Sequence, residues 1–372
     1  MVHEQHMVPF TEAAFHRTER LRNTAASGKK IIGYFCTYTP IELIHASGFL
    51  PVRIWGEQVR VEQAYTLVPN FICPYMRQSL ERAMAGEYDF LSGLVQGYTC
   101  DIACGLFNVW KENIPLELFH SLPLPYNDTE DSRLFFREGV QELLDKLSGI
   151  GGCFSEDSLE ETLMIYGQIR EHLLALDVMR STRRFAFGAE AFAAMLRAGF
   201  FLDPLEYLGM LADLKEALEE KEKSPAEGIP VILSGSLIEN SPVLALIEEL
   251  GGVIVSDDLC DGMRNASPAY GTGATPTERL LDRYMRRLPC PARARPSSRA
   301  SLLLDQVRTS RARGVVFVFQ KFCSPHLADY PSVSETLKKK GFPSILIELD
   351  EEGVMDGQIR TRLETFFSML ED

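Results

Sequence analysis

The stretch that decides the fold is GVVFVFQKFCSPHLADYP, residues 314–331. Val315, Val316, Phe317, Val318 and Phe319 form an unbroken apolar run, the pattern of a strand buried on both faces. The run delivers Cys323 and breaks at once at Ser324-Pro325. In open α/β sheets the carboxyl end of a strand is where ligands bind. Cys323 is therefore core filler, nucleophile or metal ligand, and the rest of the chain has to decide.

Working outward, IPVILSGS (229–236), VIVSDD (253–258) and PSILIELD (343–350) read as further strands. The helix at 241–252 begins with Ser241 as cap and Pro242 at the first helical position. The N-terminal third repeats the alternation, with strands at 30–36, 50–55, 89–101 and 115–125 and helices at 11–28, 39–49, 73–88 and 103–113. The helix at 39–49 takes Thr39 as cap and Pro40 at the first position. From 128 to 223 the pattern changes to long helices, among them 155–176 and 204–223, followed by a polar linker at 222–228. Alternating strands and helices imply parallel sheets with right-handed crossovers. The reading is an α/β protein with three parts. Residues 1–127 form an N-terminal α/β domain carrying Cys73 and Cys100. Residues 128–228 form a helical segment, and 229–372 a C-terminal α/β domain carrying Cys323.

The 372 residues carry a formal net charge of −14, which repels phosphate backbones and anionic lipid and makes nucleic acid and membrane poor partners. No stretch approaches the ~20 apolar residues of a spanning helix. The first residues have no apolar signal-peptide core, so a cytoplasmic location with reduced thiols is expected. The dinucleotide fingerprint GxGxxG and the P-loop are both missing from the sequence, and SGSL (234–237) is only a weak anion-site signal.

Eight cysteines then matter. Cys73 opens a helix before Pro74, where free N–H groups and the helix dipole favour a thiolate. Cys100 and Cys323 follow strands in different α/β units. Three such thiols can meet in a cleft between the units; each can equally be a small buried residue. Compact zinc sites use CxxC pairs, and none is present. Three thiolates with one open position suit an iron–sulfur cluster. Cys104, one helical turn after Cys100, reads as core. Cys36, Cys153 and Cys290 carry no separate signal, and Cys260, after a strand, is a reserve candidate. His45 reads as structural, whereas His326 and Glu57 sit where a cleft would be. The arginines 283, 286, 287, 293, 295, 299, 308, 311 and 313 form either a solvated face or a phosphate-binding patch.

GYFCTYTPIELIHASGFLPVRIWG, CPYMRQSLERAMAGEYDFLSGLVQGYTCD, LIEELGGVIVSDDLCDGMR and KFCSPHLADYPSVSETLKKKGFPSILIELD resemble, in order, segments of the 2-hydroxyacyl-CoA dehydratase D-component family. That family also includes benzoyl-CoA reductase subunits and double-cubane cluster proteins. The resemblance implies two Rossmann-like domains with an iron–sulfur cluster in the cleft between them. Cys73, Cys100 and Cys323 would be its ligands, and the cluster a 4Fe-4S or, alternatively, a double-cubane 8Fe-9S centre. It further implies a radical lyase, a sister subunit or a second copy as partner, and a separate ATP-dependent iron–sulfur activator. The substrate would be a 2-hydroxyacyl-CoA, whose ketyl radical anion expels the hydroxyl. Cys36-Thr37-Tyr38 falls in a region where family members vary and where one subunit of such pairs would carry a catalytic hydroxyl; Tyr38, Glu57 and His326 are candidates to contact the substrate. Arg293 and Arg295 are candidates to hold the charged coenzyme A. The rivals are a homodimeric double-cubane reductase and a non-catalytic electron-relay subunit.

Overall fold

The structure, a computed structural model, describes residues 2–57, 59–221, 223, 225–239, 241–287, 290–293, 296–350 and 357–371. The chain opens with helices α1 (Val2–Phe15) and α2 (Arg17–Ala26), followed by β1 (Ile31–Tyr34), α3 (Ile41–Ala46) and β2 (Leu50–Arg53). Next come α4 (Pro74–Met84), β3 (Gly93–Gly97), α5 (Asp101–Asn113) and β4 (Leu118–Leu122). Helices α6 (Glu130–Gly149), α7 (Glu156–Ser181), α8 (Ala189–Ala198) and α9 (Pro204–Glu219) lead to β5 (Ile229–Gly235), α10 (Val243–Glu249) and β6 (Gly252–Asp258). The chain closes with α11 (Pro276–Met285), α12 (Pro296–Ser310), β7 (Gly314–Gln320), α13 (Ser324–Lys339), β8 (Ser344–Leu349) and α14 (Gly357–Glu371).

Two parallel four-stranded sheets result, β2-β1-β3-β4 and β6-β5-β7-β8. The same order occurs twice. In each sheet the chain steps outward from the first strand and then crosses back to its other side. This leaves a topological switch point between β1 and β3 and another between β5 and β7, the crevices where parallel sheets take ligands. Glycines let the chain close tightly there. A Cβ on Gly235 would stand 1.9 Å from the Val318 carbonyl oxygen, so only glycine fits the end of β5.

The faces are covered as parallel sheets require. Leu144 and Leu147 of α6 and Leu280 and Tyr284 of α11 pack over Ile32, Val95 and Leu122 on one face of the first sheet. On the other face, residues from α1, α7, α8 and α9 join one large core with Trp110 and Leu94. The long middle helices thus clothe the first sheet. They also reach the second: Arg180 of α7 pairs with Asp257 of β6 at 2.7 Å. α10 and α14 cover one face of the second sheet, and α12 and α13 the other.

Local details depart from the sequence reading for physical reasons. The helix expected at 11–28 begins at Val2 and is interrupted at His16. Met7 and Phe10 are almost fully buried, and Phe10 meets Tyr207 of α9 edge to face at 6.2 Å, so packing extends the helix upstream. Pro40 and Pro242 occupy the cap positions of α3 and α10, one residue later than expected. Thr39 is diverted: its hydroxyl accepts the Gly97 N–H at 3.1 Å and ties the β1 loop to the end of β3. Among the described residues no helix is long and apolar enough to cross a membrane.

Candidate functional site

Three of the anticipated thiols occupy the same structural position. Cys73, Cys100 and Cys323 are the N-caps of α4, α5 and α13. Each therefore sits at the positive end of a helix, against N–H groups with no intrahelical partner. The Cys100 Sγ accepts the Ala103 N–H at 3.4 Å. Cys323 is presented by Phe322, whose φ of 63° is left-handed, a conformation a bulky residue holds only when its surroundings enforce it.

The three do meet, and three more join them. A cavity of about 100 Å³ between the two switch points is lined by Cys73, Cys100 and Cys323 together with Cys36, Cys260 and Cys290. Cys36 lies two residues beyond β1 and takes a contact from the Thr99 hydroxyl at 3.3 Å. Cys260 follows β6, an edge strand, yet reaches the cavity because its N–H bonds back to the Ser236 carbonyl at the end of β5. Its Sγ accepts from Arg264 at 2.9 Å, and its carbonyl accepts from Arg53 at 2.8 Å. Cys290 is buried between α11 and α12. Of the remaining thiols, Cys104 is buried on α5 outside the cavity and Cys153 is exposed.

Burial in this largely apolar cavity raises the pKa values of Cys73, Cys100, Cys260, Cys290 and Cys323. Cys73 is pushed up to about 11 and Cys290 to about 12. Cys100 and Cys323 are raised as well, by burial first and then by their neighbours: Cys73 acts on both, Cys260 on Cys323, and Cys36 and Cys290 on Cys100. Six thiolates cannot share so small a space without positive charge among them. A bound metal centre reverses this, since a coordinating thiol is deprotonated outright. Among the described residues no three His, Cys, Asp or Glu side chains converge on a single ion. Thiols ranged around a void, with three helix N-termini and Arg264 and Arg53 on its wall, suit an anionic polynuclear iron–sulfur centre better than one ion.

His326 also lines the cavity, its Nδ1 3.3 Å from the Cys323 Sγ. Burial, then the charges of Arg264 and Arg299, push its pKa well below the usual range, so the ring is neutral at pH 7. Tyr38 stands behind Cys36 and Thr37, buried, with Arg293 at 4.8 Å and Arg287 at 5.1 Å from its ring. Burial pushes its hydroxyl up to about 12.

Glu57 lies elsewhere. It follows β2, the edge strand, and its loop turns into a separate groove of about 650 Å³ with Trp55, Arg82, Arg197 and Glu239, where Arg17 pairs with it at 2.7 Å. The arginine run is not one surface. Arg283, Arg287 and Arg299 are buried, whereas Arg286, Arg308, Arg311 and Arg313 are exposed. Arg299 braces Asp258 at 2.7 Å and also pairs with Asp329. Arg293 is half-buried and donates to the Pro125 carbonyl. Arg295 lies outside the described residues. The sequence reading missed Cys36 and Cys290 and held Cys260 in reserve. For Cys260 the signal was present, a cysteine two residues past a strand; Cys36 was the last residue of the expected strand 30–36, which ends at Tyr34 in the structure, and Cys290, between two helices, gave no signal.

Comparison with known proteins bears on this arrangement. The family described as "2-hydroxyglutaryl-CoA dehydratase, D-component" matches residues 36–370, a span that begins just after β1 and holds β2 to β8 and all six cavity thiols. The (R)-phenyllactyl-CoA dehydratase beta subunit of Clostridium sporogenes is 28% identical over 356 residues, covering 94% of each chain. The lactoyl-CoA dehydratase subunit beta of Anaerotignum propionicum is 28% identical over 352 residues, 93% of each. A benzoyl-CoA reductase subunit of Thauera aromatica is 26% identical over 351 residues, 92% of this chain and 91% of its own. With the match running through both sheets, this chain belongs to the 2-hydroxyglutaryl-CoA dehydratase D-component family.

Proposed function

We propose that the chain is the iron–sulfur subunit of a 2-hydroxyacyl-CoA dehydratase, holding a 4Fe-4S cluster in the cavity between the switch points and acting with a sister subunit. The observation that carries it is the convergence of six of the eight cysteines on that cavity, three of them as helix N-caps. The dehydratase relatives, named as beta subunits, support the reaction and the paired assembly. When bound, the cluster supplies a low-potential electron for removal of the 2-hydroxyl from the acyl thioester.

The protein's own residues supply the setting. Cys73, Cys100 and Cys323 hold the cluster from both α/β units. The N-termini of α4, α5 and α13 offset its negative charge. Phe35, Tyr75, Met76, Leu237 and Pro325 keep the cavity apolar and exclude water. Neutral His326 offers a hydrogen bond beside Cys323 without adding charge. Tyr38 and Arg293, stacked together beside the Cys36 loop, are candidate acyl-CoA contacts, and Arg295 follows Arg293 closely in the sequence. A strong reductant must come from outside, since the sequence has no nucleotide-binding fingerprint, and a separate ATP-dependent iron–sulfur activator fits that need.

The extra thiols favour a second reading. Cys36, Cys260 and Cys290 double the ligand set, which suits a double-cubane 8Fe-9S centre in a homodimeric reductase without acyl-CoA. Anaerobic purification with iron and sulfide analysis separates the two. About four irons per chain, lost in the Ser variants of Cys73, Cys100 and Cys323 but retained in those of Cys36 and Cys290, support the dehydratase. About eight irons, sensitive to all six positions, support the reductase. A preparation that binds no iron under any reconstitution refutes both.

A further inference from the structure

A second cavity lies across the Thr37 segment from the thiols. It measures about 60 Å³, and Thr37 lines both. Its polar wall is built from Arg170, Arg283 and Arg287, all buried. Among the described residues the one carboxylate paired with any of these guanidinium groups is Glu42. Glu42 pairs with Arg170 and stands 3.6 Å from the Arg283 Nη1. Burial opposes ionisation of Glu42, but Arg170, Arg283 and the Tyr284 hydroxyl outweigh it and hold the carboxyl down to about 2. The tyrosines on the wall, Tyr34 and Tyr284 among them, are pushed up by burial and stay neutral. The remaining partners of the arginines are backbone carbonyls: Ala269 for Arg170, Pro268 and Asn265 for Arg283, Thr37 and Arg264 for Arg287.

Positive charge is therefore in excess in the protein interior. The Arg283 Nη1 and the Arg287 Nε are buried with no hydrogen-bond partner among the described residues. Buried charge without a counter-ion is strongly unfavourable, and a guanidinium does not relieve it by losing its proton at neutral pH. Burial and repulsion from Arg170 do lower Arg283, to about 9. A void of about 60 Å³ exceeds what one water needs and is too small for a bulky group.

We infer that this cavity binds a small oxyanion of carboxylate size, with Arg283 and Arg287 as its donors and Glu42 fixing the third arginine. The anion completes the charge balance that Glu42 alone leaves open. It is either a free ion or the carboxylate terminus of a larger ligand. Arg287 holds the Thr37 carbonyl, and Thr37 adjoins Cys36, so occupancy also sets the wall of the thiol cavity. The inference is independent of what the thiols hold.

The test is thermal unfolding of the isolated full chain, with sodium formate titrated against sodium gluconate at constant ionic strength. Formate should raise Tm saturably, by at least about 2 °C, whereas bulky gluconate should not. A glutarate arm separates the sources. Formate equal to or better than glutarate indicates a free ion, and glutarate clearly better indicates the terminus of a larger ligand. Arg283→Met should melt no lower than the parent in gluconate and should lose the formate response. Arg283→Lys, which keeps the charge without the fork, should shift the formate midpoint at least several-fold upward. A Tm of the parent that is flat in both formate and glutarate, or a full formate response in Arg283→Met, overturns the inference. The parent titration decides alone should Arg283→Met not accumulate.

Discussion

Replacing Glu239 by Gln should remove a component of the chain's pH response below neutrality. Glu239 follows β5 in the second α/β unit, yet its carboxylate is gripped by the first. The Gly56 N–H donates to Oε1 at 2.9 Å and the Glu57 N–H to Oε2 at 2.7 Å. Asp261 accepts the Glu239 N–H at 2.8 Å, and Arg197 donates to its carbonyl at 2.5 Å. Glu57 faces it, paired with Arg17, and Arg53 lines the adjoining pocket. Burial, then repulsion from Glu57, raises its pKa from 4.5 to about 7 against the pull of the two N–H groups. The native state thus keeps a proton that the unfolded chain releases above about 4.5. Stability from this group is full below that value and falls as pH rises to about 7. At 1.36 kcal/mol per unit the loss is at most about 3 kcal/mol, of the order of 5 °C in Tm. Gln cannot ionise, so that slope disappears. Its amino group opposes one of the N–H donors, at about 1 kcal/mol. The variant should melt slightly below the parent at pH 5 and above it at pH 8. Burial also raises the Asp261 carboxyl, but it does so in both proteins and cancels in the difference. Scanning calorimetry from pH 4.5 to 8 reads the crossing, and parallel curves refute the reasoning.

Three further outcomes are specific. Single Ser variants at Cys73, Cys100 and Cys323 should each lose most of the iron retained after anaerobic reconstitution, whereas Cys153→Ser, at an exposed thiol, should keep it; full iron in all three removes the assignment. Arg299→Met should destabilise by about 3–5 kcal/mol in denaturant titration, because it removes the ion-pair partner of buried Asp329 and leaves Asp258 with Arg264 alone; a loss under about 1 kcal/mol contradicts the pairing. Gly235→Ala should cost at least about 2 kcal/mol, since its Cβ would meet the Val318 backbone oxygen rather than a side chain that can move; a neutral effect on Tm would contradict the tight closure of β5 on β7.

The alternation of strands and helices was legible because it is written locally, in apolar runs and Pro-started helices. Strands β5 to β8 fall within a residue or so of the expected spans. Cys73, Cys100 and Cys323 were legible for the same reason, each at a junction that neighbouring residues announce. The arginines were not. Whether an arginine is buried depends on its partner, and Arg299 finds Asp258 41 residues away, Arg170 finds Glu42 128 residues away. Charge density along the chain carries no trace of such pairing, so a run of positive residues read as one face resolves into interior braces and scattered exposed groups. Glu57 was placed correctly at a strand end, but strand order decides which crevice that end faces. β2 lies at the edge of its sheet, and that order is fixed by pairing that no local segment specifies.

The six cavity thiols also carry a timetable. During synthesis the first three, Cys36, Cys73 and Cys100, leave the ribosome long before Cys260, Cys290 and Cys323 exist. At typical elongation rates roughly 10–40 s separate Cys100 from Cys323. Over that interval the early sulfurs have half their wall missing, and the first sheet still lacks the later helices that cover its two faces. A cluster of the kind proposed would be enclosed only once the last strand pair has closed, so its loading would belong to the finished chain rather than the nascent one. A cell making this protein in the presence of oxygen would expose those sulfurs throughout the wait, and the yield of loadable protein should depend on how quickly translation reaches β7.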